Sequence, residues 1–301
     1  MFSPLSKGSR NNQKRLIKPS LILLFSLIIA PLFSQESQRV ATPETGVFRQ
    51  ALYSASGTFT DLNNWNAGGE NNANFSLLMR ENIKRVGSNW TTIHLLEANY
   101  GISRQASVVT KNADKIEWTS TVTGSPKKNR WNVSGQVNVR SQFSPGYAAG
   151  DTIRVPISTF GAPIYGQFSL GVGHNSWKHW QVFVSPISAK TTTVLDAELR
   201  NKAAFGLDTG STWRLEAGSK ITLNYTEKIT ENISITAKSD VFLSYITGLN
   251  TVDVALDVIA LYKVKKYLSL NAHIQLLRDL DQVDAWQRRS VLGIGLAYTI
   301  P

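Results

Sequence analysis

Long runs of strict two-residue alternation constrain this chain more than any other feature. Over residues 213–225 the odd positions are Trp213, Leu215, Ala217, Ser219, Ile221, Leu223 and Tyr225, and the even ones are Arg214, Glu216, Gly218, Lys220, Thr222 and Asn224. The pattern recurs over 131–140, 233–245, 252–262, 268–276 and 292–300. A period of two sends alternate side chains to opposite faces of a β-strand. Runs of about 10 to 13 residues are roughly twice the soluble strand of about 5 to 6. A soluble sandwich also alternates, but its turn signals come every 8 to 12 residues or so and its strands are correspondingly shorter. A strand that crosses a bilayer needs about 9–11 residues with one face for lipid and one for the interior. The predicted fold is therefore all-β: a single closed antiparallel transmembrane β-barrel of about 12 strands.

The predicted strands are 50–60, 74–85, 90–105, 114–123, 130–143, 164–173, 180–195, 212–226, 233–246, 251–263, 268–279 and 290–300. With both chain ends on the periplasmic side, the turns there are short, at 86–89, 124–129, 174–179, 227–232 and 264–267. The opposite connections include 61–73, 144–163, 196–211 and 280–289 and are mostly long, the asymmetry of bacterial outer-membrane barrels. Trp90, Trp131, Trp180, Tyr225, Tyr262, Tyr267 and Tyr298 fall near the periplasmic strand ends, and Phe59, Tyr165, Trp213 and Tyr245 near the outer ends. Amphipathic rings at both levels match the two aromatic girdles of such a barrel. Two strands fit less cleanly. Glu97 spoils a face of the third, and Pro186 in the seventh cannot donate to a ladder, which calls for a bulge or an early strand end.

The N-terminus points to export. Lys7, Arg10, Lys14, Arg15 and Lys18 precede the apolar run 21–30, with no acidic residue in the first 34. Positive region, short apolar region and a small residue at the junction describe a cleaved signal peptide over 1–34. The apolar run is shorter than the roughly 20 residues that a membrane anchor needs. The expected organisation is a signal peptide 1–34, a periplasmic tail 35–49 and an outer-membrane barrel 50–301. Removing five of the 32 basic residues leaves 27 against 21 acidic ones, so +11 falls to +6. No dense basic run marks a nucleic-acid surface, and nucleic acid is not an expected partner. The absence of cysteine excludes a lipid-modified anchor and any thiolate metal site.

Residues 61–74 read DLNNWNAGGENNAN, with Trp65, Gly68, Gly69 and Asn71 as the distinctive positions. Gln142-Phe143-Ser144-Pro145-Gly146, the Ser185-Pro186-Ile187 step and the closing Gly-Ile-Gly-Leu-Ala-Tyr strand follow. This layout, from about residue 53 to the end, resembles a domain-of-unknown-function family of exported proteins found in Bacteroidota. The resemblance implies an outer-membrane location and contributes no catalytic residues.

Candidate chemistry is sparse. His174-Asn175-Ser176 sets an imidazole and a hydroxyl two residues apart, as barrel lipid hydrolases do, but Trp177 and Lys178 replace the usual continuation. A polar turn is the preferred reading. His94, His174, His179 and His273 show no metal-ligand spacing beyond the His174/His179 turn, so no metal site and no cofactor are expected. Asp279, Asp281 and Asp284 are read as a solvated loop, with loose cation binding as the alternative. Gly68-Gly69 is read as a tight turn, not a phosphate cradle.

If the apolar faces meet lipid, Arg140, Arg214, Glu216, Lys220, Lys238, Asp240, Asp253, Asp257 and His273 line the lumen. Charges of both signs either line a narrow aqueous path or pair and close it. The expected function is a non-enzymatic outer-membrane barrel with a narrow or occluded polar lumen, related to solute transport. Its expected surroundings are the outer-membrane bilayer and a membrane-protein partner. The alternatives are an accessory or scaffold subunit of an outer-membrane complex and, least supported, a lipid hydrolase.

Overall fold

A computed structural model describes residues 45–61, 71–105, 108–124, 131–148, 153–174, 179–246, 251–281 and 283–300. The expected signal peptide, most of the expected tail, and Trp65, Gly68, Gly69, Asn175 and Ser176 lie outside the described residues.

Twelve strands close into one antiparallel ring: β1 (Gly46–Thr60), β2 (Asn72–Val86), β3 (Trp90–Gln105), β4 (Val108–Gly124), β5 (Trp131–Ser141), β8 (Ile164–His174), β9 (Trp180–Thr193), β10 (Trp213–Lys228), β11 (Ile233–Ser244), β12 (Val252–Lys263), β13 (Leu268–Asp279) and β14 (Val283–Ile300). Neighbours in sequence are neighbours in the ring, and β1 meets β14. A two-stranded hairpin of β6 (Gly146–Tyr147) and β7 (Pro156–Ser158) sits in the β5–β8 connection. Helix α1 (Ala197–Asn201) lies between β9 and β10, its first turn capped by the Asp196 carboxylate, which accepts from the backbone N–H groups of Glu198 and Leu199 at 2.9 and 3.1 Å. Gly46, where β1 starts, and Ile300, where β14 ends, lie at one end of the barrel, called here the turn end; the other is the loop end.

The alternation sorts as a barrel wall requires. Outward positions such as Val133, Val137 and Val139, Leu215 and Ile221, or Leu292, Ile294 and Leu296 are exposed, while the inward positions between them are polar. Ser134, Ser169, Ser185, Thr192, Lys220, Thr222 and Ser269 are buried. This is a globular protein's pattern turned inside out, and it leaves the barrel with a polar interior and an apolar exterior. Phe183, Phe242, Ile259 and Leu261 are buried on the barrel strands, and a separate small cluster of Ala162, Val194, Leu199 and Leu207 packs together at the loop end, with Ala204 and Phe205 against it.

Several sequence expectations change. β1 starts at Gly46, so residues 46–49 belong to the barrel and not to a tail. β4 starts at Val108, six residues before its expected start, and β14 at Val283, which converts most of the expected 280–289 loop into strand. Tyr165 is no girdle residue. It pairs with inward Arg140, whose guanidinium lies 4.7 Å from the centre of its ring. The bulge expected at Pro186 is present and is shared with both neighbours. On one side Ile187 pairs with Leu170 and Val184 with Val172; on the other Ser188 pairs with Gly218 and Ser185 with Lys220. The Ser185 hydroxyl lies 2.7 Å from the Leu170 carbonyl and 2.8 Å from that of Ile187, supplying a donor where proline has none. Opposite the bulge a Cβ on Gly171 would stand 2.0 Å from the Val184 carbonyl oxygen, so only glycine fits there.

Candidate functional site: a charged layer across the lumen

Inward charges from eight strands meet in the middle and loop-side part of the barrel. Lys238 on β11 donates to Glu117 on β4 at 2.9 Å and pairs with Asp240 at 3.3 Å. Lys115, also on β4, pairs with Glu117 at 3.1 Å, with Glu97 on β3 at 3.5 Å and with Asp257 on β12 at 3.7 Å. In the ring, β4 and β12 are six places apart and β4 and β11 five, so these contacts run close to the full diameter. Lys220 pairs with Asp240 at 3.3 Å and donates to the Gln136 side-chain oxygen at 3.0 Å, three strands away. Arg80 completes the group on Glu97 at 3.3 Å.

A second cluster stands nearer the loop end. Lys190 on β9 is 2.5 Å from Asp253 on β12 and 3.7, 3.9 and 4.0 Å from Glu216, Asp279 and Asp281. Arg214 donates to Glu216 at 2.8 Å, to the Gly206 carbonyl at 2.7 Å, and to Asp281. Asp257 accepts from the Gln275 amide at 2.6 Å and faces His273 Nε2 at 3.0 Å. With the proton on Nε2, His273 Nδ1 accepts from Arg289, 3.5 Å away.

The structure thus places all nine residues read as lumen-lining on inward positions and connects eight of them by ion pairs or hydrogen bonds; Arg140 instead lies over Tyr165. Sequence reasoning missed Arg80, Glu97, Lys115, Glu117, Lys190 and Arg289. The first five carry one or both ends of most of the pairs above. Lys115 and Glu117 share a face with Thr119, Thr121 and Thr123, so strict alternation across β4 was the available signal. Glu97, read as a flaw in β3, is a buried partner of Arg80 and Lys115.

Above the charged layer a cavity of about 1390 Å³ opens toward the loop end, bordered by Lys115, Arg140, Tyr165, Asp257, Gln275 and Arg289. The other candidate residues lie apart from this layer or on its rim. Asp279 and Asp281 face Lys190 and Arg214, the Asp284 side chain lies outside the described residues, and no cluster suited to a metal ion occurs among the described residues. His174 ends β8, buried edge-on to Trp131 at 4.9 Å between ring centres. Asn71, of the motif loop, is an exposed residue just before β2.

The family described as Protein of unknown function (DUF3078) matches residues 58–147, a stretch that includes the motif loop and the Gln142–Gly146 segment. No curated protein matches the chain. Among solved structures, an outer membrane channel from Pseudomonas putida F1 is similar over 88% of this chain and 99% of its own, at 10% identity and a TM-score of 0.38. Outer membrane phospholipase A from Escherichia coli is similar over 82% and 95%, at 13% identity and a TM-score of 0.34. The β domain of the Bordetella autotransporter BrkA covers 85% and 100%, at 10% and 0.30. Likenesses of this degree do not extend to activity.

Proposed function

We propose that the protein spans the outer membrane and that its lumen is a narrow conduit held nearly shut by its own ion pairs. The membrane reading is supported by the apolar exterior and by turn-end aromatics that face outward, such as Trp90, Trp131, Tyr262, Tyr267 and Tyr298. One observation carries the lumen reading: Lys115 on β4 lies 3.7 Å from Asp257 on β12, the strand diametrically opposite. Side chains that meet across the diameter leave no wide water column at that level. Twelve strands lie between the filled eight-stranded barrels and the open porins of about 16 strands, so closure depends on the side chains and not on the ring size.

Mixed charge suits a path that passes small solutes by exchanging partners with the wall, one at a time. The non-enzymatic reading is supported by His174, which is packed against Trp131 and lies at the turn end, away from the charged layer. In planar bilayers the purified barrel is expected to show small conductance steps, well below those of a 16-stranded porin. Replacing Lys220 and Lys238 together by Gln removes two cations of the charged layer and is expected to change conductance or ion preference. Large steps insensitive to that double change would make a general porin the better description.

A further inference from the structure

The ring closes unevenly. Along the β1–β2 seam fifteen residue pairs run from Gly46 with Val86 to Thr60 with Asn72. The β1–β14 seam holds six, from Ala51 with Ile300 to Ser56 with Gly295. Beyond Ser56 the two strands continue toward the loop end, β1 to Thr60 on β2 and β14 along β13 through Gln287, without pairing to each other. Residues 57–60 are all exposed, inward and outward positions alike, and Phe59, Leu292 and Ile294 stand out at 76, 78 and 49% exposure. Outward Tyr298 marks the turn-end girdle and outward Trp286 the loop-end one, so the open stretch lies in the loop-side part of the apolar band. Free strand edges do not face hydrocarbon unless something polar meets them.

On β14 the wall of the cavity above the charged layer is made by Gln287, Arg288 and Arg289, just past Leu292 and Ile294 toward the loop end. Arg289 points inward, and its guanidinium donates only to neutral acceptors: the Asn112 carbonyl at 2.9 Å, the Gln275 side-chain oxygen at 2.9 Å and His273 Nδ1 at 3.5 Å. Among the described residues no carboxylate lies within ion-pair distance of it, in a lumen where nearly every other inward cation near it has one. Phe59, Leu292 and Ile294 make an apolar lip; Leu292 and Ile294 of this lip, outside, and Arg289, inside, lie within five residues of one another on β14.

We propose that the loop-side part of the β1–β14 seam is a lateral portal between lumen and membrane, and that it takes a single-chain amphiphile with an anionic head, the acyl chain against the lip and the head on Arg289. A polypeptide strand would satisfy the free edges but would leave the guanidinium without an anion, which favours the amphiphile. The portal is independent of how well the lumen conducts along its axis.

The chain has no cysteine, so introduced pairs report cleanly. Ala55 and Leu296 are partners in the closed part of the seam; continuing the same register would place Phe59 opposite Leu292. In the full-length protein, refolded in neutral detergent and judged by gel mobility before and after boiling, Ala55→Cys/Leu296→Cys should oxidise readily. Phe59→Cys/Leu292→Cys should do so at least ~10-fold more slowly, because residues opposite one another in paired strands lie only about 4.5–5.5 Å apart at Cβ. Equal rates mean a closed seam and overturn the proposal.

Palmitate should bind the same preparation, Arg289→Gln should weaken it by ~10-fold, and Arg289→Lys should retain most of it, as expected for a charge-assisted contact. Hexadecanol, the neutral analogue, should bind no better than to Arg289→Gln. If Arg289→Gln fails to fold, the Phe59→Cys/Leu292→Cys protein bridged by a bis-maleimide tests the same point with Arg289 intact and should lose palmitate. Equal binding of acid and alcohol, unaffected by Arg289→Gln or by the bridge, would reduce the contact to adsorption on the wall and overturn the portal. Slow oxidation with no palmitate bound would overturn the amphiphile and leave the edge to a protein strand.

Discussion

The two ends of the lumen are built on different principles. Toward the turn end many inward side chains are short hydroxyls and amides with local contacts, set among larger apolar ones such as Phe183, Ile259 and Leu261. Thr123 and Ser134 share a hydrogen bond of 3.0 Å between adjacent strands, and Asn271 donates to Ser54 at 2.7 Å only two strands away. In the middle and toward the loop end the side chains are long and charged, and they reach three to six strands across. Short hydroxyls and amides stitch the wall to itself, whereas lysines and carboxylates tie opposite walls together. Reach and charge come as a pair because only Lys, Arg, Glu and Asp combine a flexible stem with a head strong enough to hold in partial contact with water. On the proposed function, the barrier and the most vulnerable part of the interior are therefore the same residues.

The largest expected effect follows from removing one end of a diametric pair. Lys238→Met leaves Glu117 and Asp240 short of a cation in a confined space, and should cost about 3–5 kcal/mol of unfolding free energy, as for other broken buried pairs. Urea titration followed by gel mobility measures it, and restoring partial stability with a second change, Glu117→Gln, would locate the loss in the pair. A cost below ~1 kcal/mol would mean that water already solvates the layer, as for exposed pairs, and the contrast between the two ends would collapse. Next comes the opposite face of the wall. Ile274→Arg, outward on β13, should destabilise by about 2–4 kcal/mol in a bilayer and much less in a loosely packed detergent shell. Similar values in both media would count against the membrane-facing assignment.

At the neutral end the same titration should give smaller losses. Asn271→Ala removes one hydrogen bond and should cost about 1 kcal/mol. Thr123→Val keeps the shape and loses only the hydroxyl contact with Ser134, so roughly 0.5–1 kcal/mol is expected. Neither substitution should move the conductance, since neither touches a contact that crosses the lumen. A conductance change with Thr123→Val would place part of the barrier at the turn end.

Most of the wall was legible in the sequence, because period-two alternation records which face of a strand is wet. The strand count and most boundaries agree to within a few residues. The two early strand starts escaped for a physical reason. In β4 the segment Val108-Val109-Thr110-Lys111-Asn112-Ala113 slips register at Asn112, where Gly101 pairs with Ala113 and Ile102 with Lys111, so the alternation breaks although the strand continues. In β14 the stretch 283–289 sets Asp284, Gln287, Arg288 and Arg289 among Val283, Ala285 and Trp286, so neither face shows a clean alternation. The site was half legible. Alternation assigns Lys238 and Asp257 to the interior but says nothing about which strands face each other across it. Glu117 and Lys115 become visible as partners only once the ring is closed. Lys190 was hidden by Pro186, whose bulge exchanges the faces on either side of it.

The small apolar core under α1 changes what the loop end presents to solvent. Ala162, Val194, Leu199 and Leu207 come from both sides of β8 and β9, and Arg214 anchors the Gly206 carbonyl from the lumen side. Such a cap opens as a unit and not residue by residue. A protease with specificity for Arg200 or Lys202 would meet a folded surface, and would have to wait for the cap to open before it could bind an extended segment. Its cleavage rate would then report an opening equilibrium, not the accessibility of a sequence. The loop end would behave toward a protease as a miniature folded domain, mounted on the barrel and tied to it by the Arg214 hydrogen bond.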